Sequence, residues 1–254
     1  MLVKPLILVT NDDGIYSKGL LSLYRAMNTI GQAVIVAPDR EKSAVSHSLT
    51  LHRPLRTEKL AKNIYALNGT PTDCVTIAVS KVLKRKPDLV VSGINKGGNL
   101  GDDITYSGTV SAAIEGTILS IPSLAISMEG EKDYRFATAA GYAKKLAGII
   151  LREGLPGDTL LNINVPNSTP GKIKGVIFTR QGKRIYDNSI QDTFDPKGSK
   201  HYWIGGGVPL WKEGNDTDFY AVKKGYVSIT PIHLDLTNYG ALDYLKSNWN
   251  NYIG

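Results

Sequence analysis

Cysteine is nearly missing from this chain: Cys74 is the only one in 254 residues, which excludes an intrachain disulfide framework and any zinc site built from several thiolates. A reducing compartment fits that usage, and the cytoplasm is the expected location. Long apolar runs are missing as well. The apolar stretch before Asn11 is only about seven residues, too short for a secretory segment or a membrane span. The four histidines, His47, His52, His201 and His233, are scattered, and there is no H-E-x-x-H, G-x-S-x-G or P-loop pattern. Acidic residues are outnumbered, 23 against 30 basic ones, for a net charge of +7. That excess suits a phosphorylated or polyanionic partner. The basic cluster from Lys81 to Lys86 carries no interleaved aromatics, so it reads as a solvated helix end and no stable nucleic-acid partner is expected.

What is present is a regular alternation of short apolar runs and helical patterns. Leu6 to Thr10 reads as a buried strand, and Leu20, Leu23, Met27 and Ile30 then recur at helical spacing. Ala33–Val36, Ile64–Leu67, Leu89–Val91, Leu124–Ile126 and Leu160–Val165 read as further strands. Between them, Thr70-Pro71 opens one helix, Val110 to Leu119 lies on a second, and Tyr134 to about Leu151 on a third. Strands this apolar, alternating with helices, imply an α/β fold with a mostly parallel sheet covered on both faces, a Rossmann-like three-layer core over about 1–167. From about 168 to 254 the texture turns to β-type segments and polar connections, ending in a helix near Gly240 to Tyr252. This part reads as a smaller β-rich C-terminal appendage. Cys74 falls on a helix with Ala78, as a small buried residue.

The chemistry concentrates where strands end. Thr10-Asn11-Asp12-Asp13-Gly14 follows the first strand, and in an open parallel sheet ligands bind beyond the carboxyl ends of the strands. Adjacent aspartates point to opposite faces of a regular strand, but in a loop beside Gly14 they can converge. Asp-Gly is a turn signal, so the pair reads either as a turn or as a site for a hard divalent ion that cancels two close carboxylates. Oxygen-rich loops at two other strand ends, Ala37 to Ser48 and Ser92 to Asn99, favour the ion. Ser107-Gly108-Thr109 opens a helix and reads either as an N-cap or as a phosphate cradle. Two aspartates with no residue between them do not fit a haloacid-dehalogenase-type phosphatase, and the glycines of Gly97 to Gly101 are wrongly spaced for a dinucleotide fingerprint.

Several blocks in order resemble the SurE survival proteins, a family of metal-dependent nucleoside-monophosphate phosphatases. They are TNDDG, APDREKSAVSHSLT, LNGTPTDCV, VVSGINKGGNLGDDITYSGTVSAAIEG, LLNINVP, DPKGSKHYW and TDFYAVKKGYVSITPI. The resemblance implies a 5′-nucleotidase, acting on nucleoside 5′-monophosphates and also 3′-monophosphates, with one Mg²⁺ or Mn²⁺ per subunit. Its implied metal ligands are Asp12, Asp13, Ser43 and Asn95. Asp12, Asp13 and Asn95 would be catalytic, and Asn95, Ser107, Gly108 and Thr109 would bind the phosphate. It also implies self-association as a dimer or tetramer with exchanged C-terminal segments. A broader phosphomonoesterase or exopolyphosphatase is the alternative enzyme, and a non-enzymatic nucleotide- or RNA-binding protein is the alternative of another class. Where the family often has Ala-Pro before Gly-Leu, this chain has Ser17-Lys18 before Gly19-Leu20, a difference at the helix start that bears on substrate preference.

Overall fold

Beyond the first strand, β1 (Leu6–Thr10), the chain turns into helix α1 (Lys18–Met27), whose N-cap Ser17 accepts a hydrogen bond from the Leu20 N–H. This computed structural model describes residues 4–185, 190–204 and 210–253. Strand β2 (Gln32–Pro38) returns parallel to β1, and the hairpin β3 (Thr57–Ala61) and β4 (Ile64–Leu67) follows. A reciprocal Thr70–Asp73 capping box with Pro71 behind it starts α2 (Pro71–Ile77). Next come β5 (Leu89–Lys96), α3 (Gly108–Ile118), β6 (Ser123–Glu129), α4 (Phe136–Glu153) and β7 (Thr159–Pro166). The remainder holds β8 (Val176–Phe178), β9 (Arg184–Ile185), β10 (Ile190–Phe194), β11 (Lys200–Ile204), β12 (Leu210–Trp211), α5 (Asp218–Lys223), β13 (Val227–His233) and α6 (Tyr239–Ile253).

One nine-stranded sheet runs in the order β3-β4-β2-β1-β5-β6-β7-β13-β8. Its six central strands, β4 to β7 in that order, are mutually parallel; β3 and β13 run antiparallel to their neighbours β4 and β7. Strand alternation divides the core. Ile7, Val9, Ile35, Val91, Ile126 and Ile163 pack in one cluster with α1 and α4, while Leu8, Val34, Val36 and Val90 pack on the other side with Cys74 and Val75 of α2. Both faces are buried, which is why these strands read as continuous apolar runs. The chain winds outward from β1 in one direction through β2 and β4, and from β5 in the other through β6 and β7. The order therefore reverses between β1 and β5, and the Asn11–Gly14 loop sits at that reversal.

Several boundaries differ from the sequence reading; β6, for one, runs Ser123–Glu129 where Leu124–Ile126 was expected. Strand β5 continues to Lys96, because Ser92 and Gly93 stay buried and paired with β6 and, past a register shift at the buried Ile94, Asn95 and Lys96 pair with it again. Helix α4 begins at Phe136, two residues later than expected, where Tyr134 stacks on the Phe136 ring at 5.5 Å. Beyond residue 167, β8 and β13 join the same sheet, and β10–β11 and β9–β12 form separate two-stranded pairs. Residues 186–189 and 205–209 of the Arg180-to-Trp211 stretch lie outside the described residues.

Candidate active site

Asn11 is wholly buried, and its side-chain amide donates to the Gly14 carbonyl at 3.1 Å and the Ser17 hydroxyl at 2.8 Å, curling the chain directly after β1. Gly14 completes the curl at φ +92°, where a Cβ would lie 2.9 Å from the Arg40 carbonyl carbon. The loop after β2 is tied to the same place. Lys42 N–H donates to the Asp12 carbonyl at 2.7 Å, and Ile15 N–H to the Pro38 carbonyl at 2.8 Å.

Asp12 is 5% exposed and is gripped by the start of α3. Thr109 donates its hydroxyl to Oδ1 at 2.5 Å and its backbone N–H to Oδ2 at 3.1 Å. Gly108 makes the approach possible, since a Cβ there would stand 2.9 Å from the Asp12 Cβ. The N-cap Ser107 takes the Val110 N–H, leaving the Gly108 N–H as the first-turn donor without an acceptor among the described residues. Burial pushes the Asp12 carboxyl up to about 6, with Thr109 opposing the shift and Asp13 adding to it. Asp13 is likewise pushed upward by burial, against the Lys96 ammonium 3.5 Å from its Oδ1; the charge of Glu41 adds to the rise.

Several polar atoms here are buried without a hydrogen-bond partner among the described residues: Asp13 Oδ2, Asn11 Oδ1, Thr10 Oγ1 and Ser92 Oγ. Orphaned buried oxygens are costly, and a carboxylate oxygen most of all. Among the described residues no three His, Cys, Asp or Glu side chains gather at metal-holding distance, so a cation here must take neutral oxygens as well. The donors present fit a hard divalent ion on that basis. Asn95 lies at the end of β5, with its amide nitrogen donating to the Gly97 carbonyl at 2.9 Å and, among the described residues, no donor on its side-chain oxygen. Ser43 is exposed, and its hydroxyl donates to Glu41 Oε1 at 2.8 Å.

The structure thus brings together Asp12, Asp13, Gly108 and Thr109, with Ser107 as the cap and Asn95 beside Lys96. It turns the Ser43 hydroxyl toward Glu41, and it gives both Thr109 donors to Asp12. Sequence reading passed over Lys96, the exposed cation on Asp13, and Glu115. Glu115 is buried in α3, where it accepts from the Thr76 hydroxyl at 2.7 Å and pairs with His47 Nε2 at 2.9 Å. His47, foremost, holds the Glu115 carboxyl below its ordinary range. Asp73 takes the N–H and hydroxyl of Thr50, so the segment bearing Ser43 is fastened at both ends. A glutamate inside the otherwise small-residue helix GTVSAAIEGTI was the available signal for this anchor.

The family model described as Survival protein SurE matches residues 7–188. A protein named 5′-nucleotidase SurE from Geotalea uraniireducens (strain Rf4) is 53% identical over 241 residues, covering 94% of this chain and 97% of that protein. Another of that name from Geobacter sulfurreducens (strain ATCC 51573 / DSM 12127 / PCA) is 51% identical over 244 residues, covering 95% and 92%. The crystal structure of the SurE protein from Aquifex aeolicus superposes with a TM-score of 0.86 at 45% identity, covering 96% of this chain and 99% of that one. The likeness therefore extends through the carboxylate pair, the α3 cradle and most of the remaining chain, and this chain belongs to the SurE family.

Proposed function

We propose that this chain is a divalent-metal-dependent nucleotidase, hydrolysing nucleoside 5′-monophosphates, and 3′-monophosphates as well, to nucleoside and inorganic phosphate. The observation that carries the reading is the Asp13 Oδ2 oxygen, buried and, among the described residues, unpartnered next to a second buried carboxylate at the mouth of a helix. The names of the relatives supply the substrate class. Asp12, Asp13 and Asn95 would hold one Mg²⁺ or Mn²⁺, joined by Ser43 once its hydroxyl leaves Glu41. When bound, that ion supplies Lewis acidity toward a phosphoryl oxygen.

The protein's own groups do the positioning. Thr109 fixes Asp12 through two hydrogen bonds, and the free Gly108 N–H at the positive end of α3 receives a phosphate oxygen. Water adds to phosphorus as the ester P–O bond breaks, and the departing nucleoside oxygen takes a proton. The exposed apolar stripe of α6, with Leu242, Leu245 and Trp249, supports self-association through the C-terminal segment. No helix among the described residues is long and apolar enough to cross a membrane. The single cysteine supports a reducing compartment, the cytoplasm, as its location.

The test is phosphate release from 5′- and 3′-nucleotides, a generic phosphomonoester and short polyphosphate, after metal stripping and then with Mg²⁺ or Mn²⁺. Release confined to the metal-loaded protein and strongest with nucleotides is expected. Equal release from every ester identifies a broad phosphomonoesterase, and nucleotide binding without release identifies a non-enzymatic binding protein.

A further inference from the structure

Lys96 closes β5 next to Asn95, with its ammonium 3.5 Å from Asp13 Oδ1. The two partners differ sharply in burial: the lysine side chain is 46% exposed and the aspartate side chain 7%. Asp13 cannot leave, but the ammonium can, since it is carried on a flexible stem already half in water. The other charged or titratable groups felt at this pair are Asp12, the neighbouring carboxylate, Glu41, from the loop after β2, and Tyr134, from the segment before α4. Asp12 faces Thr109 and, among the described residues, has no lysine or arginine of its own.

A divalent ion and an ammonium cannot share the Asp13 carboxylate without strong repulsion. With both aspartates ionised, the pair and Lys96 together carry one net negative charge. Adding a divalent ion and a phosphate dianion leaves that total unchanged, provided the lysine stays within the site. Removing the lysine from that second state would add a further uncompensated negative charge in a poorly solvated place.

Resting on the metal reading of this site, we infer that Lys96 is a charge-exchanging residue: its ammonium neutralises Asp13 until a divalent ion takes that carboxylate, and then pairs with the phosphate of the substrate. The lysine and the ion compete for one partner, while the lysine and the ion cooperate on the other.

Calorimetric titration tests this without any turnover. Mn²⁺ is titrated into metal-stripped wild type, Lys96→Met and Lys96→Arg, and inorganic phosphate is then titrated into each Mn²⁺-loaded protein. Lys96→Met should bind Mn²⁺ roughly three- to tenfold more tightly and phosphate roughly three- to tenfold more weakly, the scale of one partly exposed charge contact. Lys96→Arg should stay near wild type in both. A lysine that served only to hold the loop would, on removal, weaken both. Mn²⁺ affinity in Lys96→Met equal to or below that of wild type overturns the exchange, and so does unchanged phosphate affinity. Wild type that takes up no Mn²⁺ at all overturns the metal reading itself and this inference with it, which separates the two failures.

Discussion

Asp12, a carboxylate with 5% of its surface exposed, and Trp249, an indole with 54% exposed, stand at opposite ends of the chain and invert the usual distribution of polar and apolar groups. Around Asp12 the parallel core supplies everything that holds the side chain: two donors from Thr109, a missing Cβ at Gly108, and a neighbouring loop fastened through Lys42, Glu115 and Asp73. Around Trp249 the described residues leave more than half of the indole uncovered. Every residue of α6 from Tyr239 to Trp249 is exposed, and so are Phe194, Tyr202 and Trp203 of the β10–β11 hairpin. A single amphipathic helix of this length is marginal in water unless its apolar stripe is covered. The comparison teaches that the two regions ask for different partners: the buried carboxylates call for chemistry, the cation and phosphate we propose, whereas the exposed apolar stripe calls for packing, the second copy we propose.

The comparison breaks most visibly at the apolar end. Replacing Leu245 and Trp249 together with glutamate should convert a dimer or tetramer into a monomer by sedimentation. The same change should lower the Tm by roughly 5–10 °C, because the assembly binds only folded chains and stabilises them by mass action. Wild type that sediments as a monomer at every concentration would leave the α6 stripe without its proposed cover. A second change, overlapping the first in melting temperature but leaving the assembly intact, sharpens the Asp12 side. Thr109→Val removes the hydroxyl given to Asp12 and leaves a buried carboxylate short of a charge-assisted hydrogen bond, at a cost of about 1.5–3 kcal/mol. Thermal melting should show a fall of roughly 2–4 °C for each kcal/mol in a chain of this size. Thr109→Ser keeps the hydroxyl and should melt close to wild type; equal loss in both variants would point to packing of the lost methyl group.

Much of this was legible in the residues because burial on two faces writes itself as apolar runs. All six central strands were visible that way, and so was the strand-end placement of Asp12 and Asp13. The far end of β5 was not, since Ser92-Gly93 interrupts its apolar run. Pairing with β6 carries that strand on to Lys96, a fact about neighbours that a local pattern does not hold. Strand order was hidden for the same reason, and with it the reversal between β1 and β5, the place where open parallel sheets bind ligands, at which the first loop sits. Thr109 was recognisable as a helix-start donor, but its recipient, Asp12, is 97 residues away. Lys96 and Glu115 were passed over because each draws its meaning from a partner on another element, Asp13 and His47 respectively.

The central claim, that Asp12 and Asp13 are adjacent because they share one cation, is tested most directly by a paired melting experiment. Wild type and Asp13→Asn are each melted after metal stripping and again with Mn²⁺. Burial disfavours the ionised Asp13, and Asp12 repels it, so a neutral amide of the same shape relieves both penalties at the loss of one half-exposed contact with Lys96. The account predicts that stripped Asp13→Asn melts at or above stripped wild type and gains little from Mn²⁺, while wild type gains clearly. An Asp13→Asn protein that melts lower when stripped, yet gains as much from Mn²⁺ as wild type does, would contradict it and reduce the pair to a turn.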